Sequence, residues 1–503
     1  MFKTVIKKIF VILPSVLFEV LLILLLLTLF NKWAAFFEGL FRVLGFLFAL
    51  FVISYRQEGT YKILWILFFT AMPVPAAVAY LLWGNKRTVK PIVEKVKREQ
   101  EILKIEHKDT PLIAEIEARD ERIFQSLKYV EELSGAPAEV AETSKYYPLG
   151  ELCWADMLEA MKAAEKFIYL EYFIVQDGDM WSAMFEILAD KAKAGVDVRF
   201  IYDDLGSIAT FSGKDTKKLT EAGIKWVAFN KLKVISGTLN NRSHRKMLII
   251  DGKTAFSGGI NLADEYINRN SKFGHWKDIG FKITGPAVGN YLYMFASFWN
   301  AFSEDKIAGN VFDDVPKSCE TQDGVVLSYY DSPGNRDAVS NNFYIEMLGN
   351  AKKYAWFYTP YLMLGDTLQD AFVRAAKRGV DVRIITPGIP DKKIVFRITR
   401  SFYLPLLAAG VKIYEYTPGF VHAKASLYDD VVSTVGTVNL DYRSLYLHFE
   451  NNSIFYDSSV TSDLKKDFLE TQSKCKEIRW EDLKTNLFGL LFDGILRVFA
   501  PLA

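Results

Sequence analysis

The chain has 503 residues, a length that predicts two or three domains rather than one. Its 61 basic and 60 acidic side chains balance, so it lacks the basic excess typical of nucleic-acid-binding proteins, and we expect no nucleic-acid partner. The three cysteines lie far apart without a CxxC pair, which excludes a disulfide framework and a cysteine zinc site and suits a reducing compartment.

Residues 1–84 contain three apolar stretches and are predicted to form a membrane region. The first, residues 9–30, has Glu19 as its single charge and as a helix would span roughly 33 Å, enough to cross a bilayer core. The second, residues 36–54, carries two charges in its first half, and the third, residues 63–83, is interrupted by two prolines. We expect a protein integral to the membrane.

The charges that flank these stretches predict a topology. Three lysines precede the first stretch and six basic residues follow the third, so the positive-inside rule places both flanks in the cytoplasm. That arrangement requires an even number of crossings, so one stretch is interfacial or re-entrant. Residues 36–54 are a candidate for that stretch because of their charges. The prediction is a multi-pass protein with cytoplasmic catalytic domains.

The rest of the chain shows an internal duplication. Residues 85–144 are charged with helical spacing and are predicted to be a juxtamembrane linker. An alternation of strand-like and helical patterns fills residues 145–315 and returns in residues 316–478, where GVDVR at 195–199 recurs at 379–383. We predict two similar α/β domains related by a pseudo-twofold axis. Residues 479–503 have the pattern of an amphipathic helix, which either packs on a domain or lies in the membrane interface.

One motif of unusual residues occurs in both predicted domains. It places His, Lys, Asp, Gly and Asn at identical offsets, although the chain has only five histidines. The first copy consists of His244, Lys246, Asp251, Gly258, Gly259 and Asn261, and the second of His422, Lys424, Asp429, Gly436, Thr437 and Asn439. Repetition of the whole pattern argues for a function rather than for two unrelated buried histidines.

The spacing of this motif suits chemistry on a phosphodiester. If the motif lies in a strand, its His and Lys share a face, so two symmetric copies present two imidazoles and two ammonium groups together. The ammonium groups would neutralise the phosphate oxygens and the charge of the transition state. One neutral imidazole would attack phosphorus, and the other would protonate the leaving alkoxide and then deprotonate the incoming alcohol.

The other motif residues are expected to support this chemistry. Each motif Asp lies five residues beyond its Lys and would face away from it, which favours a turn or supporting role. The glycines permit close backbone approach, and Asn261 and Asn439 can hydrogen-bond near a phosphate oxygen. Each imidazole needs an acceptor on its second nitrogen, and Asp278 and Glu450 are the candidates, although a surface salt-bridge role is open for both.

Neither a metal nor another cofactor is expected. Two cations beside each motif histidine would repel a divalent ion, and no acidic cluster adjoins the histidines in sequence.

The paired motifs resemble those of the phospholipase D superfamily, which has the signature HxKx4Dx6G[GS]xN twice. The first copy matches it fully, and the second departs only at Thr437, which keeps a hydroxyl. Within the superfamily the chain is similar to the bacterial cardiolipin synthases, on the strength of its apolar N-terminal region and the segments at 80–86, 359–361, 439–444 and 501–502.

This resemblance implies a fold and an activity. It implies two phospholipase D-like domains, each a mixed sheet flanked by helices, in a bacterial cell-membrane protein. It implies conversion of two phosphatidylglycerols to cardiolipin and glycerol without a metal, with His244 as nucleophile and His422 as acid/base. The motifs leave open a phospholipase D hydrolase or a phosphatidyltransferase with another alcohol acceptor. A homo-oligomer is compatible with the sequence, which does not fix the oligomeric state.

Overall fold

The computed structural model describes residues 14, 17–25, 31–54, 58–84, 89–103, 111–231, 238–270, 272–335, 337–484 and 486–502. Its strands are β1 Glu139–Val140, β2 Ser144–Tyr147, β3 Phe167–Tyr172, β4 Asp197–Asp203, β5 Lys225–Phe229, β6 Met247–Ile250, β7 Thr254–Gly258, β8 His275–Lys277, β9 Gly280–Thr284, β10 Val325–Asp331, β11 Tyr354–Tyr358, β12 Asp381–Pro387, β13 Lys412–Tyr416, β14 Gly419–Val421, β15 Ala425–Tyr428, β16 Val432–Gly436, β17 Glu450–Tyr456 and β18 Cys475–Ile478.

The α-helices are numbered in the same way. They are α1 Asn31–Ser54, α2 Gly59–Ala71, α3 Pro73–Ala79, α4 Lys90–Leu103, α5 Pro111–Arg119, α6 Glu121–Ser134, α7 Gly150–Ala163, α8 Asp179–Lys193, α9 Gly213–Glu221, α10 Val288–Phe302, α11 Val339–Asn350, α12 Asp366–Lys377, α13 Lys393–Ser401, α14 Tyr403–Ala408, α15 Tyr442–Tyr446, α16 Ser459–Gln472 and α17 Leu487–Val498.

Two large mixed sheets carry the duplication. The first has the order β2-β9-β7-β6-β3-β4-β5, and seven strands of the second, β10-β17-β16-β15-β11-β12-β13, follow the same path. In each sheet three parallel strands adjoin an antiparallel set, for example β3, β4 and β5 beside β6. The central strands β3 and β11 are buried along their whole length, as expected where both sheet faces are covered. The predicted fold class of two repeated α/β domains is confirmed.

The two domains share one hydrophobic core. Helix α10 lies between the sheets with most of its 15 residues buried, and aromatic rings from both sheets meet beside it, such as Phe281 and Phe455 at 5.0 Å. Short parallel strands β8 and β14, one from each domain, also pair directly. The segment that enters the second motif and the segment that leads into Asp278 are therefore held against each other rather than on independent bodies.

The predicted linker, residues 85–144, packs into this catalytic body. Tyr293 and Tyr330 donate hydrogen bonds to the backbone and side-chain oxygens of Gln100 in α4, at 3.1 and 2.9 Å. Leu127 and Val130 of α6 are buried in the core of the second domain, and β1 pairs with β10 at the edge of the second sheet. The proposed boundaries at residues 144, 315 and 478 stay predictions.

The described part of the N-terminal region contains one helix that is long and apolar enough to cross a membrane. This is Ala35–Ser54 within α1, with 20 residues and a mean hydropathy of 2.1. A straight helix of that length spans roughly 30 Å, the thickness of a hydrocarbon core. The first predicted stretch, residues 9–30, lies largely outside the described residues, and its described residues 14 and 17–25 are helical.

The third predicted stretch is divided into shorter elements. Helix α2 ends at Ala71, Met72 leaves the helical conformation with ψ 74°, and α3 begins at Pro73, which needs no backbone donor at that position. The 13 residues of α2 span roughly 20 Å, less than a bilayer core. Residues of this region dock on the second domain, where Tyr61 stacks on Tyr442 with ring centroids 5.5 Å apart.

The C-terminal helix α17 lies beside the helices of this N-terminal region. Its inner side contacts α13, where Arg397 Nε donates to Asp493 Oδ1 at 2.6 Å, and the following Phe499 meets Phe68 of α2 edge to face at 5.9 Å. Its outer side is apolar and exposed, with Phe488 81% exposed. The first alternative, packing on a domain, describes one face of the helix, and the position of the other face in the membrane interface stays a prediction.

Candidate active site

The motif histidines lie where the two domains meet. In each motif, His and Lys precede the strand, β6 or β15, whereas the sequence placed them inside it. They leave the ladder because the backbone bonds across the domains instead: His244 N donates to Phe449 O and His422 N donates to Lys277 O, both at 2.8 Å. The equivalence of these two bonds reflects the predicted pseudo-twofold relation.

His244 is oriented by a carboxylate of the second domain. Its Nδ1 lies 2.8 Å from Oε2 and 3.0 Å from Oε1 of Glu450, which is completely buried. Because an ionised carboxylate only accepts, Nδ1 carries the proton and Nε2 carries the lone pair. Phe173 packs edge to face on the imidazole at 5.1 Å.

His422 is oriented in the same way from the first domain. Its Nδ1 lies 2.7 Å from Oδ2 of the fully buried Asp278. Although burial alone would raise the pKa of Asp278, the adjoining His422 and Lys424 lower it below its usual value. Tyr266 and Trp276 surround this imidazole at 5.2 and 5.4 Å between ring centroids. Both carboxylates singled out from the sequence therefore contact a histidine, each one across the domain boundary.

The two lysines complete a buried, positively charged site. Lys246 donates to His244 O at 2.6 Å, and Lys424 equivalently donates to His422 O. Burial lowers the pKa of Lys246 to about 7 and that of Lys424 to about 8. Burial, together with Lys246, Lys424 and His422, lowers the pKa of His244 well below its usual value. All four groups thus act on one another in one site.

The pKa of His422 is lowered as well, to about 4. Burial is the main cause, followed by the Lys424 ammonium group, whose Nζ lies 2.8 Å from the imidazole Nδ1. Asp278 opposes this shift. With no anion bound, both motif histidines are neutral at physiological pH.

The two motif aspartates occupy supporting positions. Asp251 accepts hydrogen bonds from the backbone N–H groups of residues 165–167, each at 2.8 Å. Asp429 accepts from those of residues 352–354 at 2.7–2.8 Å. Both aspartates adopt a positive φ, 52° and 51°, directly after the motif strand. Each carboxylate therefore ties the turn after the motif to the start of the neighbouring strand.

The Gly259 and Thr437 positions explain how the two halves differ. A Cβ atom at Gly259 would lie 2.0 Å from Asp278 Oδ1, so only glycine leaves room for this carboxylate. At the equivalent position of the second half, Thr437 Oγ1 donates to Glu450 Oε2 at 2.5 Å. The departure of Thr437 from the common motif thus supplies a hydroxyl that holds Glu450 against His244.

The motif asparagines are engaged in local contacts. Asn261 donates to Tyr266 Oη at 2.8 Å and accepts from Ile174 N at 3.1 Å. Asn439 donates to Asp441 Oδ2 at 3.0 Å, while its buried Oδ1 has no hydrogen-bond partner within the described part of the chain. Their assignment to a phosphate oxygen stays a prediction.

Known proteins share this arrangement in sequence. A family profile described as "Cardiolipin synthase, PLD-like domain" matches residues 157–276 and 344–471, one segment in each domain. A cardiolipin synthase of Alkalihalophilus pseudofirmus is 32% identical over 455 residues, covering 89% of this chain and 90% of that protein. This chain belongs to the cardiolipin synthase family. The resemblance drawn from the paired motifs is therefore confirmed.

Two further similarities agree with this membership. An uncharacterized protein of Streptococcus mutans is 36% identical over 468 residues, covering 90% of this chain and 99% of that protein. The crystal structure of phosphatidylserine synthase from Haemophilus influenzae matches with a TM-score of 0.56 at 16% identity, over 75% of this chain and 97% of that chain. The last similarity supports the fold alone.

Buried charges that the sequence analysis missed hold the first motif of this cardiolipin synthase family member in place. Arg245 pairs with Glu171 at 2.6 Å and Arg242 with Asp203 at 2.9 Å, all four being buried. Asn451 accepts a hydrogen bond from the backbone N of Lys246 at 3.0 Å. The available signal was an acidic residue inside an otherwise apolar strand, since such a group needs a partner when buried.

A third histidine, His448, was also missed as a site residue. Its ring centroid lies 5.7 Å from that of His244, and ligand atoms of His244, His448 and Glu450 lie within 4.8 Å of one another. Such a donor set can in principle hold a transition metal. However, Lys246 and Lys424 act on the same histidine and oppose a divalent cation, and Glu450 already accepts from His244. The net charge of the site suits an anionic phosphodiester better.

Proposed function

We propose that this protein is a cardiolipin synthase, which transfers the phosphatidyl group of one phosphatidylglycerol to a hydroxyl of a second and releases glycerol. The observation that carries the proposal is a buried site in which two imidazoles, each held by a carboxylate of the other domain, adjoin two ammonium groups. A phosphodiester anion is complementary to this charge. Family membership supports the choice of lipid.

In the first step of the proposed mechanism, His244 is the nucleophile. Its hydrogen bond to Glu450 leaves Nε2 with the lone pair, and its lowered pKa keeps the ring neutral. Nε2 attacks phosphorus, the bond from phosphorus to the glycerol oxygen breaks, and His422 protonates the leaving alkoxide. The negative charge of the bound phosphodiester raises the pKa of His422, which favours the protonated form that acts as the acid. Lys246 and Lys424 stabilise the charge on the phosphoryl oxygens.

The second step reverses these roles. A hydroxyl of the second phosphatidylglycerol gives its proton to His422, its oxygen attacks phosphorus, and the bond from phosphorus to His244 Nε2 breaks. The products are cardiolipin and the free enzyme, and neither step requires a metal or another cofactor. His244 and His422 are only 6% and 7% exposed. Limited access of water favours a lipid alcohol over hydrolysis.

Incubation of the purified chain with labelled phosphatidylglycerol tests this function. We expect equal amounts of cardiolipin and glycerol, and loss of both products in His244→Ala and His422→Ala variants that still fold. An acid-labile phosphatidyl adduct on the protein supports the covalent step. Phosphatidic acid as the sole lipid product would instead establish a hydrolase.

We also propose a membrane topology with two crossings. The first apolar stretch would cross outward and helix α1 would return, which brings Tyr61 to the catalytic domain, where it stacks on Tyr442. The broken segment α2–α3 would then be the re-entrant one, because neither helix is long enough to cross alone. This choice replaces residues 36–54 as the candidate for the non-crossing segment and keeps the catalytic domains in the cytoplasm.

Reporter fusions after residues 32, 57 and 90 test the topology. We expect position 32 outside and positions 57 and 90 in the cytoplasm. An external position 57 would return residues 36–54 to the non-crossing role, and an external position 90 would contradict an even number of crossings.

A further inference from the structure

The two halves of the pseudo-twofold site differ in the residue that lies beside the motif histidine. His448 lies two residues before Glu450, and Trp276 lies two residues before Asp278. Their rings occupy equivalent places, 5.7 Å from His244 and 5.4 Å from His422 between centroids. One side of the site therefore has an imidazole where the other has an indole. The phosphoryl chemistry proposed above uses neither ring.

The surroundings of His448 define which of its nitrogens can meet a substrate. Its Nδ1 is buried and lies 3.7 Å from Glu450 Oε1, too far for a hydrogen bond but on the side of a carboxylate acceptor. Burial lowers the pKa of the ring to about 4, so it carries one proton. The proton belongs on Nδ1, where it faces the carboxylate, and this leaves Nε2 as an acceptor.

A phosphatidylglycerol bound in this site must bury polar headgroup hydroxyls. A buried hydroxyl without a partner is costly, and it needs an acceptor for its proton. An indole N–H only donates, so Trp276 cannot serve, whereas an imidazole lone pair can. The contact with Glu450 lies on the Nδ1 side of the ring, and among the described residues no hydrogen bond engages His448 Nε2.

We propose that His448 is a headgroup-binding residue, whose Nε2 accepts a hydrogen bond from a hydroxyl of the glycerol headgroup on the His244 side of the site. This inference rests on the proposed function, because it names the substrate group that the same site recognises. It assigns selection of a hydroxylated headgroup to one residue and to one half of the duplicated fold.

Two donor lipids isolate this contact from the chemistry. Phosphatidylglycerol and phosphatidylethanol share the phosphatidyl group, but the ethanol headgroup has no free hydroxyl. Release of labelled headgroup alcohol from each donor is measured with the full-length protein in mixed micelles, with the same excess of glycerol supplied as the acceptor alcohol that frees the phosphatidyl group from His244. Wild type is expected to prefer phosphatidylglycerol, and His448→Asn to lose about tenfold in kcat/KM for this donor, while kcat/KM for phosphatidylethanol changes less than threefold. Turnover of phosphatidylethanol thus reports folding within each variant.

Asn and Gln substitutions separate the two ring nitrogens. The Gln side-chain oxygen reaches the place of Nε2, so His448→Gln is expected to stay within threefold of wild type on phosphatidylglycerol. The Asn amide reaches only the place of Nδ1. If His448→Asn keeps the preference and His448→Gln loses it, the residue acts by positioning Glu450 and the proposal is overturned. An equal loss on both donors overturns it as well.

His275→Asn is the matched control. This histidine is half-buried outside the site, with Nδ1 3.1 Å from Tyr416 Oη, and its substitution should alter neither donor. A similar loss in this control would make the His448 effect unspecific and overturn the proposal. Lipid products distinguish the two claims: if wild type forms phosphatidic acid instead of cardiolipin, the proposed transfer fails, while the ratio of the donors still tests His448. If wild type releases alcohol from neither donor, both claims are overturned.

Discussion

Each motif histidine depends on a carboxylate that lies in the other domain. We predict that Asp278→Asn impairs His422 and Glu450→Gln impairs His244, because each amide removes the charge that fixes the histidine tautomer. From similar His–carboxylate pairs in other enzymes we expect losses of about 10²–10⁴-fold in kcat for cardiolipin formation.

The two variants should fail at different steps. Glu450→Gln should form the lipid adduct slowly. Asp278→Asn should still form the adduct from an activated donor, whose headgroup leaves without protonation, but should release it slowly. Asp190→Asn, a change of the same chemistry at an exposed ion pair with Lys193, is the control and should retain full activity. Full activity in either carboxylate variant would contradict the crossed arrangement.

The buried lysines predict a pH dependence. Phosphate binding needs their protonated forms, and the pKa values of Lys246 and Lys424 are lowered to about 7 and about 8. In the free enzyme kcat/KM should therefore fall as the pH rises through 7 to 8. The bound phosphodiester raises both pKa values, so the alkaline limb of kcat should lie at higher pH. A kcat/KM that stays flat between pH 7 and 9 would show that neither lysine loses its proton there.

At the scale of an element, the motif aspartates stabilise the turn after each motif strand. Asp251→Ala leaves three backbone N–H groups without their acceptor, and we expect it to lower the free energy of unfolding by about 2–4 kcal/mol. Asp251→Asn keeps one oxygen acceptor and should cost less. Thermal unfolding of the purified variants measures this order. Activity per folded molecule should stay within threefold, and a larger loss would give Asp251 a direct role in the chemistry.

The elements also show what spacing in the sequence could predict. Identical offsets in the two motifs predicted the repeated domains, because a duplicated pattern requires a duplicated fold. They did not place the motif His and Lys outside the strand, since that displacement depends on hydrogen bonds to Phe449 and Lys277, which lie far along the chain. The interruption at Met72 was visible in advance as a proline in an apolar stretch.

At the scale of the whole molecule, the site exists only because the two domains share a core. Asp278 and Glu450 were predicted as partners of a histidine. Each one follows the motif of its own domain in sequence, so the sequence could not predict that each contacts the histidine of the other domain. His448 and Glu171 were not predicted as site residues because a single copy of a residue carries no spacing signal. Their roles follow from burial and from the groups that they face.

The same architecture gathers exposed apolar side chains on one face of the molecule. Helix α17 contacts α2 through Phe68 and Phe499, and its outer side is apolar, with Leu487 68% and Leu491 59% exposed. Because α17 adjoins the N-terminal apolar helices, this side continues their exposed apolar surface. We predict that α17, as an amphipathic helix, lies in the interface plane with its apolar face among the acyl chains. It would thereby hold the catalytic site at the depth of the headgroups.

We therefore expect Leu487→Ser combined with Leu491→Ser to lower cardiolipin formation in liposomes about tenfold, while activity in detergent micelles stays within twofold. Each leucine contributes up to about 1.5–3 kcal/mol when it is buried in an apolar phase, and micelles adapt to a tilted protein whereas a bilayer does not. The apolar N-terminal region is predicted to anchor the variant as it does wild type, so equal amounts should be reconstituted. Leu152→Ser is the control, at a leucine that is 49% exposed in the first domain, and it should stay active both in liposomes and in micelles. Equal activity of the double variant and wild type in liposomes would show that the exposed face of α17 does not enter the bilayer.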